Sequence, residues 1–243
     1  MLEAKDAMDA RVRTAKKREA APRRAGRPKS CDNASMRERI LNAGERLFAR
    51  HGFHGMTVRE VAKAAGADPA LAHYYFKSKQ GLFDAVFERR AAVVNKARME
   101  SMERYVSDPG PGGPTAEGLI DAFLGPAMEL WAKGGPGWKA YFRLVALVNN
   151  TPQWGGATMA KYFDPVIQRL IEGLRKIIPG AKDADLYWSY HFLSGGLTLT
   201  FAETGRLDRL SGGISHSADY EAVRARMAAF YAAGFEAICR ARR

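Results

Sequence analysis

Side chains that can bind a phosphate oxygen crowd into one short stretch of this 243-residue chain: Thr57, Arg59, Tyr74, Lys77 and Lys79. Hydroxyls and cationic amines near helix ends hold nucleic-acid backbones, and the helix-end amides beside them act in the same sense. Between these residues lie Pro69, Ala70, Leu71 and His73. Only His73 can hydrogen-bond a base edge, whereas Ala70 and Leu71 offer apolar contact to a thymine methyl. The chemistry implied is non-covalent: phosphate contacts for register, and base or shape readout for specificity. No cluster of comparable density points to catalysis. There is no GxSxG elbow, no glycine-rich phosphate cradle opening a helix and no HExxH. The HGFHG run at 51–55 offers two histidines but no further ligands at metal spacing. An enzyme, a metal and a cofactor are not expected.

The flanking residues spell out how such side chains would be positioned. Thr57 with Glu60 is a capping box, and Val58, Val61, Ala62 and Ala65 follow at helical spacing until Gly66 offers a left-handed stop. Asp68 and Pro69 are the N-cap and first residue of a second helix. Two short helices around a tight turn form a helix-turn-helix, and Ala62 is small where the helices must cross. Ser35 with Glu38 starts a bracing helix with Ile40, Leu41, Gly44, Leu47 and Phe48 on its apolar face, and Gly52 ends it. Ser78 caps a long helix whose apolar positions Leu82, Phe83, Val86, Phe87, Val93 and Val94 continue toward Tyr105.

Residues 40–87 resemble the DNA-binding domain of the TetR family of one-component bacterial transcriptional regulators. The pieces that carry the resemblance are Leu47-Phe48-Ala49 before His51-Gly52-Phe53, Thr57-Val58, Gly66, and Tyr74-Tyr75-Phe76-Lys77-Ser78-Lys79 leading into Leu82-Phe83. The resemblance implies a homodimer whose recognition helices enter successive major grooves of a near-palindromic, double-stranded operator. It also implies a helical ligand-binding domain that controls their separation. Tyr74 and Lys79 stand where the family places a phosphate-binding aromatic or histidine and a lysine. Leu71 and His73 depart from members with Thr and Tyr there. The run Gly26-Arg27-Pro28-Lys29 resembles a minor-groove hook, with Arg27 as the inserted side chain; a solvated tail is the other reading.

Net charge is +12 with a sequence pI near 9.8, and nearly half of the residues are apolar. Residues 1–30 contribute +6, residues 31–90 another +3, and the remaining 153 residues only +3. A polyanionic partner at the N-terminal end is expected, beside a nearly neutral body. Cys31 and Cys239 are too few and too far apart for a disulfide framework or a metal site. Without a long apolar run or a secretory signal, a cytoplasmic protein with no membrane partner is expected. A nonspecific or architectural nucleic-acid-binding protein without an effector would account for the basic arm but not for the paired caps of 57–76.

The rest of the chain predicts an all-α fold of about nine helices: an arm over 1–34 expected to be disordered, the helix-turn-helix domain over 35–80, and a ligand-binding and dimerisation domain over 81–243. Helices are expected over 115–133 with a kink at Pro126, 137–150, 157–178 or from Asp164 because of Pro165, 183–206 and 219–240. The last two carry more apolar surface than one monomer covers, through Leu186, Trp188, Tyr190, Phe192, Leu193, Leu197, Leu199 and Phe201 on one and Val223, Met227, Phe230, Tyr231, Phe235 and Ile238 on the other. A four-helix dimer interface follows. Phe123, Met128, Trp131, Phe142, Phe163 and Trp188 are candidates for an apolar ligand site, with Arg143 and His191 as polar anchors. The patterns YFDPVIQRL, DLYWSYHFLSGGL and GRLDRLSGG resemble the TetR subgroup that responds to fatty acids or their coenzyme A esters. That implies a small-molecule effector of the fatty acid, acyl-CoA or aromatic class.

Overall fold

Ten helices and no strand make up the residues described by the computed structural model, 30–152 and 154–240. Arg27 lies outside them. Ser35–Arg243 forms one compact unit. Its head consists of α1 (Ser30–His51), α2 (Val58–Ala65) and α3 (Pro69–Phe76); α4 (Lys79–Ser107) runs on into the body. The body adds α5 (Ala116–Lys133), α6 (Pro136–Asn149), α7 (Gly155–Ile177), α8 (Asp183–Phe201), α9 (Arg206–Leu210) and α10 (Tyr220–Arg240).

Three boundaries differ from expectation. Helix α1 is already helical at Ser30, the first described residue, rather than starting behind a cap at Ser35; no proline or glycine between 30 and 35 interrupts it. Helix α7 runs from Gly155 straight through Pro165 and does not restart at Asp164. Phe163, Val166, Ile167 and Leu170 are buried on both sides of the proline, so packing holds the helix together where one hydrogen bond is missing. Helix α8 stops at Phe201, because Glu203 (φ 47°) and Gly205 (φ 64°) turn the chain left-handed before α9.

Helix α4 holds the architecture together. Its 29 residues span about 43 Å at 1.5 Å per residue. Near its start Leu82, Phe83, Val86 and Phe87 are fully buried, the first three with Ile40, Phe48, Val61 and Ala62 in the head core; farther along Val94, Arg98 and Met102 are buried in the body. Two joints tie head to body around it. In the aromatic joint Phe83 meets Phe48 at 5.2 Å, Phe53 at 5.5 Å and Trp154, just before α7, at 5.3 Å. In the polar joint the buried Glu45 of α1 accepts from Arg89 at 2.8 Å and from Arg90 at 2.9 and 3.1 Å, and Arg90 lies 4.6 Å over the Trp138 ring of α6.

Candidate nucleic-acid interface

The two-helix motif is assembled by its own caps. The Thr57 amide donates to Glu60 Oε2 at 2.7 Å, and the Glu60 amide donates to Thr57 Oγ1 at 3.2 Å. The Thr57 amide first, and then the Thr57 hydroxyl, which donates to Glu60 Oε2 at 2.9 Å, hold the Glu60 carboxyl below the ordinary carboxylate range, with His51 and Lys79 adding to the same shift. Gly66 closes α2 at φ 63° and ψ 37°, a left-handed conformation that costs glycine nothing. Asp68 Oδ1 accepts from the Ala70 amide at 2.7 Å, and Pro69 opens α3.

With Ala72 and Phe76 turned inward, the opposite side of α3 presents Pro69, Ala70, His73 and Tyr74 to solvent, while Leu71 is half-buried. Tyr74 is 68% exposed, unusual for a large aromatic ring with no partner across a core. Thr57 and Arg59 are exposed at the start of α2. Lys77 stands at φ 62° in the turn after α3, with Nζ 5.1 Å from the centre of the Tyr74 ring. Lys79 is half-buried and folds back: its Nζ donates to the His54 carbonyl at 3.5 Å and lies 4.8 Å over the Phe53 ring. The structure therefore places hydroxyl, amine and guanidinium donors at the start of α2 and in the turn after α3, on elements that flank the exposed α3 face. Arg37 of the bracing helix packs its guanidinium 5.5 Å over the Phe76 ring and lies 3.8 Å from Glu38.

The body residues divide. Phe123, Phe142 and Phe163 line a narrow cavity of about 30 Å³ between α4, α5, α6, α7 and α8. Met128 and Trp131 are buried but belong to the surrounding core, with the Trp131 and Phe201 rings 6.1 Å apart. The other three do not reach the cavity. Arg143 is exposed and pairs with Glu203; Trp188 is 59% exposed and sits edge-on to the His191 ring on the outer face of α8. Helix α8 is apolar nearly all round, so its pattern gave no direction. Arg98, buried in the cavity wall, was missed because it is one arginine among several on a long helix.

Residues 40–86 match the family model described as bacterial regulatory proteins, tetR family, and residues 121–234 match that described as tetracyclin repressor-like, C-terminal domain. The chain belongs to the TetR family. Members of this family are helix-turn-helix transcriptional regulators rather than enzymes. Among relatives of this TetR-family chain is the HTH-type transcriptional regulator AcrR of Shigella flexneri, 30% identical over 73 residues that make up 30% of this chain and 34% of that one. The HTH-type transcriptional repressor AcnR of Corynebacterium glutamicum is 33% identical over 78 residues, 30% of this chain and 42% of that one. These likenesses span well under two thirds of either relative. Among solved structures, a TetR-like transcriptional regulator from Rhodococcus sp. RHA1 superposes with a TM-score of 0.56 at 18% identity, covering 87% of this chain and all of that one. The fatty acid degradation regulator FadR from Bacillus halodurans gives 0.57 at 13% identity, covering 84% and 97%. At such identities the likeness is one of fold.

Proposed function

We propose that this chain is a cytoplasmic, ligand-responsive repressor that binds a palindromic operator as a homodimer and leaves it when a small lipophilic effector occupies the body. The observation that carries the reading is helix α4, a single element buried in the head at Phe83 and in the body cavity at Arg98. An effector shifts operator binding only through a preference for one α4 orientation. At the usual allosteric coupling of about 1–3 kcal/mol it releases DNA roughly 5- to 150-fold, and DNA weakens effector binding by the same factor. The functional division falls near residue 80, although the two parts share one compact unit.

Dimerisation is supported by two exposed apolar stripes. On α8 Trp188, Phe192 and Leu199 are 59%, 52% and 64% exposed, and on α10 Phe230 is 71% exposed. Gly195 lies between Phe192 and Leu199 with open space above it. Two such helix pairs make a four-helix interface between copies. The effector classes under this reading are fatty acids, acyl-CoA esters and aromatic compounds; no helix of the described residues is long and apolar enough to cross a membrane.

Selection of bound sites from random DNA tests the reading. A palindromic site bound at least about a thousandfold more tightly than random sequence is expected, by a species that sediments as a dimer. Uniform affinity for all sequences would assign the chain to nonspecific binders. Within the selected site, His73→Ala is expected to relax the preference at a few base pairs, at about 1–3 kcal/mol for each lost contact. Lys79→Ala is expected to weaken all sequences alike. An unchanged site preference in the His73 variant would remove that residue from base reading.

A further inference from the structure

Arg98 is an exception among the arginines of α4. Arg89 and Arg90 share Glu45, whereas Arg98 is 4% exposed and pairs with no carboxylate among the described residues. Its Nε donates to the Phe123 carbonyl at 3.1 Å, one turn before Pro126, and its guanidinium lies 4.2 Å over the Phe123 ring. The titratable groups facing it are the phenols of Tyr190 and Tyr141, both held neutral by burial, which raises their pKa. Burial lowers the Arg98 pKa to about 10, so the group still carries its full charge at neutral pH. An uncompensated charge inside a protein is costly, and an apolar side chain of that length would avoid the cost.

The charge stands in the wall of the body cavity. Tyr190, Ser194 and Thr198 supply hydroxyls there, and Phe142, Met159 and Phe163 are among the apolar walls. One buried cation in an otherwise apolar enclosure is complementary to an amphipath with a single negative charge. The planar two-donor edge of a guanidinium suits a carboxylate in particular. Deepening the reading of this chain as an effector-responsive regulator, we infer that the effector is a small carboxylic acid with an apolar body, its carboxylate paired with Arg98. A coenzyme A ester presents an uncharged thioester carbonyl at the cavity end and several phosphates that one arginine cannot match. A neutral aromatic compound leaves the guanidinium unpaired. At about 30 Å³ the cavity has room for little more than a water, so an acid enters only as the walls part. Because Arg98 is on α4, pairing with it and moving that helix are one event.

Calorimetric titration of the full chain with octanoate, decanoate and phenylpropanoate, each against its alcohol, and with decanoyl-coenzyme A, tests this. At least one acid is expected to bind about tenfold or more tightly than its alcohol, the difference made by a charge-assisted bond. Arg98→Met is expected to weaken that acid about 10- to 100-fold while leaving the alcohol unchanged, and Arg98→Lys to keep part of the preference. Equal binding of acid and alcohol by the wild type, tightest binding of the coenzyme A ester, or a preference that survives in Arg98→Met would overturn the inference. If Arg98→Met does not fold, the wild-type preference and the lysine variant decide. A neutral probe that binds and releases the selected operator would sink the acid while leaving the regulator standing. Absence of binding by every acid also removes the inference, with the regulator reading still judged by operator selection.

Discussion

In the head, α2, α3 and α4 each start on a side-chain cap, at Thr57, Asp68 and Ser78. In the middle of the body, α6, α7 and α8 start behind Gly135, Trp154 and Lys182 with no side-chain cap at all. The head is therefore specified residue by residue, and its helix-turn-helix geometry follows from local chemistry. These three body helices are placed by packing, and α7 even runs through Pro165 because buried residues on either side hold it, whereas α5 and α10, at the two ends of the body sequence, keep caps at Thr115 and Asp219. A rigid reading head suits a fixed target such as a DNA groove. A body held by packing can accept a second arrangement, which a switch requires.

The sharpest way to break this contrast is at the joint where the two regimes meet. Phe83 is fully buried between Phe48, Phe53, Phe87 and Trp154. Phe83→Ala is expected to cost about 3–5 kcal/mol of unfolding free energy in a urea titration, with altered Trp154 emission in the folded state. A loss below about 1 kcal/mol would mean that head and body hold together without the aromatic joint.

The polar joint is expected to matter less for stability and more for coupling. Glu45→Gln keeps the shape and removes the charge shared by Arg89 and Arg90. Breaking a buried pair costs about 3–5 kcal/mol, but both arginines are about one-fifth exposed and Arg89 keeps Glu38 at 2.7 Å and Asn42 at 2.9 Å. About 2 kcal/mol is therefore expected after screening. Operator affinity measured with and without effector should then differ less than in the wild type; an undiminished response would place the coupling in the aromatic joint alone.

The same contrast explains what could be read from the residues. Thr57, Gly66, Asp68 and Ser78 each act within a few positions of themselves, so helix starts and the exposed α3 face were legible. Neither joint was, since Glu45 and Arg89 are 44 positions apart and no local pattern links them. Direction was the second loss. Helix α8 turns Leu186, Leu193 and Leu197 inward and Trp188, Phe192 and Leu199 outward, so apolar residues cover it too evenly for the pattern to assign a face. Trp188 and His191 were accordingly expected beside the ligand, and Arg98, which lines the cavity, was not.

One position in the head breaks the local rule, and it sharpens the comparison with the smallest effect. Lys77 has φ 62°, a conformation that costs a side-chain-bearing residue roughly 1–2 kcal/mol relative to glycine. Lys77→Gly relieves that strain but restores unfolded-state entropy worth about 0.4–1 kcal/mol. It also removes the cation over the exposed Tyr74 ring, worth about 0.5–1 kcal/mol. The contributions nearly cancel, so thermal stability is expected to stay within about 1 kcal/mol of the wild type. Binding should behave otherwise: if Lys77 meets a phosphate, operator affinity falls for every sequence, and the slope of log affinity against log salt shrinks by about two, one for each protomer of the dimer. An unchanged slope would remove Lys77 from the interface, and a clear loss of stability would mean that glycine does not relieve the turn. A lysine kept at a strained position for its charge alone would make this turn the place in the head where binding outranks local fit.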